Sequence, residues 1–106
     1  MNGERGIRLC CLLWAVEGET DGLHAYEDTV LRLVAEHRGE VTTRVLGEGG
    51  DGTPHEVQVI EFADGDAMDA YLGDPRRTAL APERDRVVAR TELFPVRLPG
   101  TDGGAA

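Results

Sequence analysis

An apolar run covers residues 7–16, where side chains at both alternating positions are apolar apart from Arg8. The run is far too short to cross a bilayer as a helix, so we interpret it as a strand that is buried on both faces. One layer of helices covers only one face of a sheet. The pattern therefore predicts a second covering layer, and in a chain of 106 residues we expect a second copy of the chain to supply it.

The segment after this strand predicts a helix over residues 22–38, with Asp21 as its cap. Apolar and aromatic side chains recur in it at three- and four-residue spacing, which is typical of a helix with one buried face. The buried stripe consists of Leu23, Tyr26, Val30, Leu33, Val34 and His37. The opposite, exposed face is predicted to hold Glu27, Asp28, Arg32 and Glu36.

The rest of the chain predicts three strands and a second helical region. The strands cover residues 41–46, 56–63 and 87–98, and the first two form a hairpin with a glycine-rich tip. A short helix ends at Leu72, another begins at Asp74-Pro75, and Pro82 ends it. We expect one domain over residues 1–98 and a flexible tail over residues 99–106.

This order of elements, βαββαβ, is the pattern of a ferredoxin-like α+β sandwich. Right-handed crossovers then require an antiparallel sheet in the order 4-1-3-2, with both helices on one face. If about five apolar side chains on the other face stayed in water, the loss of roughly 2 kcal/mol each would approach the ~5–15 kcal/mol stability of a whole domain. The pattern therefore predicts a homodimer packed face to face.

Composition narrows the classes of partner and chemistry. The formal net charge of −9 disfavours nucleic acid and anionic membranes as partners. The chain has no Ser and no Lys, which excludes a serine nucleophile, a Schiff-base lysine and a P-loop lysine within it. The first residues do not resemble a signal peptide, so we expect a cytoplasmic protein.

Three segments resemble a known superfamily: VQVIEFAD at 57–64, AYLGDPRR at 70–77, and the strand at 87–96. A strand ending in Glu-Phe, a short helix bearing Tyr and an Asp-Pro helix restart are similar to the dimeric α+β barrel superfamily, which is ferredoxin-like. The nearest likeness is to an uncharacterised branch related to antibiotic-biosynthesis monooxygenases and polyketide cyclases. These motifs specify the fold more than the chemistry.

The resemblance implies a small-molecule tailoring enzyme of secondary metabolism, of the cyclase, isomerase or cofactor-free monooxygenase type, acting on an apolar or aromatic metabolite. The cofactor-free oxygenases use a strand Asn with a Trp and a His or Tyr. The first and third strands here contain no Asn, so that constellation is incomplete. The alternative is a noncatalytic dimer that binds a ligand or a partner protein.

Three polar residues are the candidate catalytic groups of a pocket between sheet and helices. Glu61 lies among apolar residues of a central strand, where an unpaired carboxylate is costly to bury, so it must reach a partner, water or a protonated state. Arg44 and Arg90, on the flanking strands, are the candidate partners. Glu61 is either part of a structural ion pair or a general base with a raised pKa. His24 lies near the start of the first helix and faces a cleft or packs beside the stripe; histidine is the residue type whose unperturbed pKa lies nearest neutrality. The catalytic candidates are Glu61, His24 and Arg90.

The candidate substrate-binding residues are Trp14, Arg44 and Tyr71, with core packing as the alternative for both aromatic residues. No metal site is predicted: Asp64, Asp66 and Asp69 imitate a metal loop but lack its Gly and terminal Glu. No cofactor is predicted either. The glycines at 47, 49 and 52 have dinucleotide spacing, but Pro54 and a strand follow where a helix should begin.

Overall fold

The computed structural model describes residues 6–99. The elements are β1 Ile7–Ala15, α1 Thr20–Leu31, a 3₁₀ helix Val34–His37, β2 Gly39–Leu46, a 3₁₀ turn Gly50–Gly52, β3 Glu56–Phe62, α2 Gly65–Leu72, α3 Pro75–Thr78, α4 Ala81–Val87 and β4 Val88–Pro95. The predicted βαββαβ pattern is confirmed. The predicted tail lies outside the described residues apart from Pro99.

The four strands form one antiparallel sheet in the order β2-β3-β1-β4. This confirms the predicted order and places β1 and β3 at the centre. Residues opposite each other on antiparallel strands share a face, and successive residues alternate between faces. The register therefore defines two surfaces, which we call the helix-side face and the open face.

The helix-side face carries the core. In β1 its members are Leu9, Cys11 and Leu13, which are all buried. They pack in two clusters under the helices, one toward α2 and the other toward α1 and α4. The helical contribution to these clusters comes mainly from Leu23, Tyr26, Val30, Val34, Ala67, Tyr71 and Val87.

The open face is apolar at its centre and charged at its ends. The register places Cys10 between Val59 and Phe94, and Leu12 beside Val57. Within residues 6–99, no helix packs over these side chains. Farther out lie the charged or aromatic residues Arg8, Trp14, Glu40, Glu61, Arg90 and Glu92.

Three predicted helix boundaries are wrong. The first helix does not continue to residue 38: α1 ends at Leu31, and a separate 3₁₀ helix covers Val34–His37. Asp21 does not cap α1: the helix begins at Thr20, two residues before the predicted start, and Asp21 lies in its first turn, where a carboxylate interacts favourably with the positive end of the helix dipole. Pro82 does not end a helix. It lies in the first turn of α4, where a missing N–H donor costs nothing. No helix within residues 6–99 has the length and apolarity that a bilayer crossing requires.

Candidate active site

A cavity of about 70 Å³ lies between the helix-side face and the helices. A water needs about 10–15 Å³ measured in this way, so the cavity has room for a few waters or for a small chemical group. Most of its wall is apolar, including Leu9, Leu13 and Phe62. The polar groups on its wall come from Tyr26, Glu27, Gln58, Tyr71, Arg77, Arg84 and Thr91.

Glu27 is the carboxylate on this wall. It lies in the middle of α1 and is 6 % exposed. The side-chain amide of Gln58 donates one hydrogen bond to Glu27 Oε1 at 2.8 Å and another to Glu56 Oε2 at 2.8 Å. Both N–H donors of that amide are therefore used. Among residues 6–99, Gln58 is the one hydrogen-bonding partner of the Glu27 carboxyl.

Glu56 is the centre of a buried ionic network behind Glu27. Its side chain has no exposed surface. His24 Nδ1 lies 2.7 Å from its Oε1, and Arg44 Nε donates to its Oε2 at 2.5 Å. Arg44 also donates to Asp28 Oδ1 at 2.5 Å and to the backbone oxygen of His24 at 3.1 Å. Both oxygens of Glu56 are thus paired, which is the condition for burying a carboxylate in its ionised form.

Burial raises the pKa of Glu27 above its ordinary value. The hydrogen bond from Gln58 opposes this rise, and the nearby negative charge of Glu56 adds to it. A carboxyl with a raised pKa is a better base once ionised and a usable acid when protonated. The geometry therefore equips the cavity wall with a group able to accept or donate a proton.

The two phenols and the thiol on the wall favour their neutral forms. Burial raises the pKa values of Tyr26 and Tyr71, while Arg77 acts in the opposite direction on both phenols. Burial also raises the pKa of Cys11 to about 12, so its thiol stays protonated and unreactive. Cys11 therefore packs as a small buried hydrophobe.

Of the six sequence-predicted site residues, three lie on the helix side of the sheet. Tyr71 lines the cavity and packs against Phe62, with ring centroids 5.5 Å apart. His24 and Arg44 lie behind the cavity wall and bind Glu56. Their direct roles in catalysis and substrate binding stay predictions.

The other three, Trp14, Glu61 and Arg90, lie on the open face. The expectation that Glu61, His24 and Arg90 line one pocket needs correction, because strand alternation puts the sheet between His24 and the other two. Glu61 does not pair with Arg44 or Arg90. Its Oε2 accepts a hydrogen bond from Arg8 Nε at 2.7 Å.

Trp14 and Arg90 form a small assembly of their own at one end of the open face. The Arg90 guanidinium lies 4.3 Å from the centroid of the Trp14 ring, and it also pairs with Glu92. The indole N–H of Trp14 donates to the backbone oxygen of Gly52 at 2.8 Å. These contacts fix the orientation of Trp14 away from the cavity.

Sequence reasoning missed the polar residues Glu27, Glu56, Gln58, Arg77 and Arg84. Glu27 was assigned to the exposed face of α1, yet it follows Leu23 by four residues and precedes Val30 by three, which is the spacing of the buried stripe. On β3, Glu56 and Gln58 share parity with Ile60 and Phe62, the residues that pack in the core. The spacing on α1 and the parity on β3 therefore already indicate that Glu27, Glu56 and Gln58 face the core.

Within the described part of the chain, no group of three His, Cys, Asp or Glu side chains is arranged to hold a metal ion. Asp64, one of the three aspartates with metal-loop spacing, has a structural role instead. Asp64 caps α2, with its Oδ1 accepting from the backbone N–H of Ala67 at 2.9 Å. This hydrogen bond and the Arg38 side chain hold the pKa of Asp64 below its ordinary value.

No protein-family model matches the sequence, and no curated protein matches it. Solved structures do match. A putative antibiotic biosynthesis monooxygenase from Bacteroides thetaiotaomicron superposes with a TM-score of 0.71 at 13 % identity over 91 % of each chain. SnoaB from Streptomyces nogalater, a cofactor-independent oxygenase, gives 0.66 at 15 % identity over 92 % of this chain and 99 % of that one.

A third match is a dimeric protein of unknown function from Bacteroides fragilis, with a ferredoxin-like fold. Its TM-score is 0.65 at 13 % identity, over 88 % of this chain and 96 % of that chain. At such low identity the likeness establishes architecture, and one architecture supports many activities. The chain therefore has a ferredoxin-like fold, as these proteins do.

Proposed function

We propose that the chain is a cofactor-independent enzyme that transfers a proton to or from a small apolar or aromatic metabolite, as a cyclase, isomerase or oxygenase requires. The observation that carries this proposal is Glu27, a buried carboxyl with a raised pKa on the wall of an apolar cavity. Perturbed carboxyls in such surroundings are candidates for general acid–base catalysis.

In this proposal Glu27 takes a proton from an acidic C–H bond of the substrate and returns it to another position. Gln58 holds Glu27 Oε1, which leaves Oε2 to face the substrate. Glu56 keeps the Gln58 amide in place through its own hydrogen bond to Nε2. His24 and Arg44 enter as positioning residues that hold Glu56, while catalytic roles for Glu61 and Arg90 would require chemistry on the open face.

Hydrogen–deuterium exchange at the α-carbon of 2-indanone, a small aromatic ketone, tests this role. We expect the wild-type protein to accelerate exchange in D₂O, and Glu27→Gln to lose about 100-fold or more of that acceleration, which is a usual contribution of a general base. Glu48→Gln, at an exposed position of the β2–β3 connection, is the matched control. Equal acceleration by wild type and Glu27→Gln would remove Glu27 from the mechanism.

The second candidate is a noncatalytic dimer that binds a small ligand. The observation in its favour is that charged strand residues are paired: Arg8 with Glu61, Arg44 with Glu56, and Arg90 with Glu92. Saturable binding of aromatic ligands without any acceleration of exchange supports this candidate over the enzyme.

We also propose that the chain is a homodimer joined through the open face. The apolar centre and charged ends of that face have the layout of an interface core with a polar rim. Val45 and Phe94 are 51 % and 39 % exposed there. Light scattering at micromolar concentration should give twice the 11.5 kDa mass of one chain, and a folded monomer would overturn this part of the proposal.

The biological setting proposed for this activity is cytoplasmic secondary metabolism. The support for it is indirect: the fold is shared with a putative antibiotic biosynthesis monooxygenase and a cofactor-independent oxygenase. Identification of the genes beside this one tests the setting. Neighbouring biosynthetic genes support it, and neighbours of an unrelated process contradict it.

A further inference from the structure

Two arginines on the cavity wall differ from the other partly buried arginines of the protein. Arg8 and Arg44 each bind a carboxylate within 2.7 Å. Within residues 6–99, Arg77 and Arg84 make no ion pair, and their recorded hydrogen bonds go to neutral groups. The cavity wall thus carries two guanidinium groups whose charge is not neutralised by direct contact.

Arg77 has an unused donor. Its Nη1 donates to the backbone oxygen of Leu72 at 3.2 Å, and its guanidinium carbon lies 5.0 Å from the centroid of the Tyr71 ring. These contacts hold the planar group in place. Its Nε is buried and has no hydrogen-bond partner among the residues that the structure describes. A buried N–H of a charged group without a partner is unfavourable, so the position of Arg77 on this wall opposes stability and favours a role in binding.

Arg84 reaches the same cavity from α4. Its Nη2 donates to Thr91 Oγ1 at 2.9 Å, and Thr91 lies on the edge strand β4 and also lines the cavity. The hydroxyl is neutral, so this bond orients the guanidinium without cancelling its charge. Leu93, two residues farther along β4, lines the cavity and is 47 % exposed, which marks this edge as the side open to solvent.

We propose that Arg77 and Arg84 form an oxyanion-binding subsite, and that the ligand of the cavity is a small aromatic molecule with a planar anionic oxygen group, a carboxylate or an enolate. The Arg77 guanidinium, which lines the cavity, is the principal donor, and its fork suits such a planar anion. The cavity of about 70 Å³ admits the anionic group, and the ring lies toward its solvent-open edge at Leu93.

The inference rests on the proposed function in one respect: it names the class of substrate on which Glu27 acts. When a base removes a proton beside a carbonyl, negative charge develops on the carbonyl oxygen, and fixed donors stabilise that charge. Glu27 and the two arginines then have separate tasks on one wall. Glu27 transfers the proton, and the arginines bind the negatively charged oxygen of the substrate.

Benzoate and benzamide provide a matched pair of probes, because they share size and ring and differ in charge. We expect titration calorimetry to show saturable binding of benzoate, and binding of benzamide that is weaker by about 10-fold or more, the ratio expected from one charge-assisted hydrogen bond. This comparison uses the unmodified protein, so it does not depend on how well a variant folds. Equal affinity for both probes, or no binding of benzoate, would overturn the subsite.

Variants then locate the binding. Arg77→Gln and Arg84→Gln should each weaken benzoate binding by about 10-fold and leave benzamide binding unchanged. Arg77→Lys keeps the charge and loses the planar guanidinium fork, so it should recover only part of the loss. Arg32→Gln is the control, since Arg32 is exposed at the end of α1 and carries the same charge. An equal loss in Arg32→Gln would mean that net charge alone attracts benzoate.

The two proposals can fail separately. Benzoate binding that depends on Arg77, together with no exchange of 2-indanone, supports the subsite and contradicts the enzyme. Exchange that depends on Glu27, with no preference for benzoate, supports the enzyme and contradicts the subsite.

Discussion

Strand β3 carries two glutamates five positions apart, and the sheet separates them. Glu56 faces the helices, has no exposed surface and is held by His24, Arg44 and Gln58. Glu61 faces the open side, with 36 % of its side chain exposed, and is held by Arg8. The same residue type on the same strand is thus the centre of a buried network in one case and half of a partly exposed ion pair in the other.

This difference shows that the two faces of the sheet suit different roles. On the helix side, Glu56 and Glu27 are buried, and burial raises the pKa of Glu27. On the open side, charges surround an apolar centre and can contribute to how two copies recognise each other. Proton chemistry is therefore expected on the first face and association on the second.

The substitution with the largest expected effect disrupts the open face. Val59→Arg places a charge at the centre of the open face, opposite Cys10. In a face-to-face dimer the two introduced guanidinium groups, one from each copy, would lose their hydration at a cost of several kcal/mol per ion. We expect the mass from light scattering to fall from twice 11.5 kDa to that value, with the far-UV circular dichroism unchanged. Ala25→Arg, at an exposed position of α1, is the matched control and should stay dimeric.

The next largest effect is the difference in stability loss between substitutions of the two glutamates. Glu56→Gln removes the charge that balances Arg44 and should lower the free energy of unfolding by about 3 kcal/mol, the cost of breaking a buried ion pair. Glu61→Gln leaves a partly exposed arginine and should cost under about 1 kcal/mol. Urea denaturation measures both. Equal losses in the two variants would contradict the division between the faces.

The smallest expected effect is the pH dependence of stability that Glu27 causes. Because burial raises its pKa in the native state, the unfolded chain binds fewer protons than the native state between the ordinary Glu value and the raised one. Stability therefore falls as pH rises through that window. Glu27→Gln removes this loss, so the variant should be more stable than wild type at pH 7, and the difference should vanish below a pH of about 4.

Urea denaturation at several pH values measures this effect, with Glu48→Gln as the control that should follow wild type throughout. A Glu27→Gln protein that is less stable than wild type at neutral pH would show that the carboxylate stabilises the fold. A variant that is more stable but has lost exchange activity is the expected signature of a functional residue kept at a cost in stability.

The sequence predicted the order of strands and helices because that information is contained in periodicity and in the geometry of crossovers. The double-sided apolar pattern of β1 correctly placed it at the centre of the sheet. Helix ends were less predictable: Pro82 is equally suited to follow one helix or to begin the next.

The candidate site was harder to predict, because a charged residue on a strand does not reveal its face unless the parity of the whole strand is considered. Glu61 was singled out by its apolar neighbours in sequence, but Ile60 and Phe62 point the other way. The Arg77 and Arg84 side chains reach the cavity from α3 and α4, and only tertiary packing brings them to the same wall as Glu27.

The most direct test of the division between the faces is a carboxyl ¹³C NMR titration, with Glu27→Gln used to assign the Glu27 resonance. The structure predicts a midpoint for Glu27 clearly above the ordinary glutamate pKa of about 4.3, because burial on the helix side disfavours its charge. A midpoint at or below that value would contradict the account, since Glu27 would then be a fully stabilised carboxylate rather than a group prepared for proton transfer.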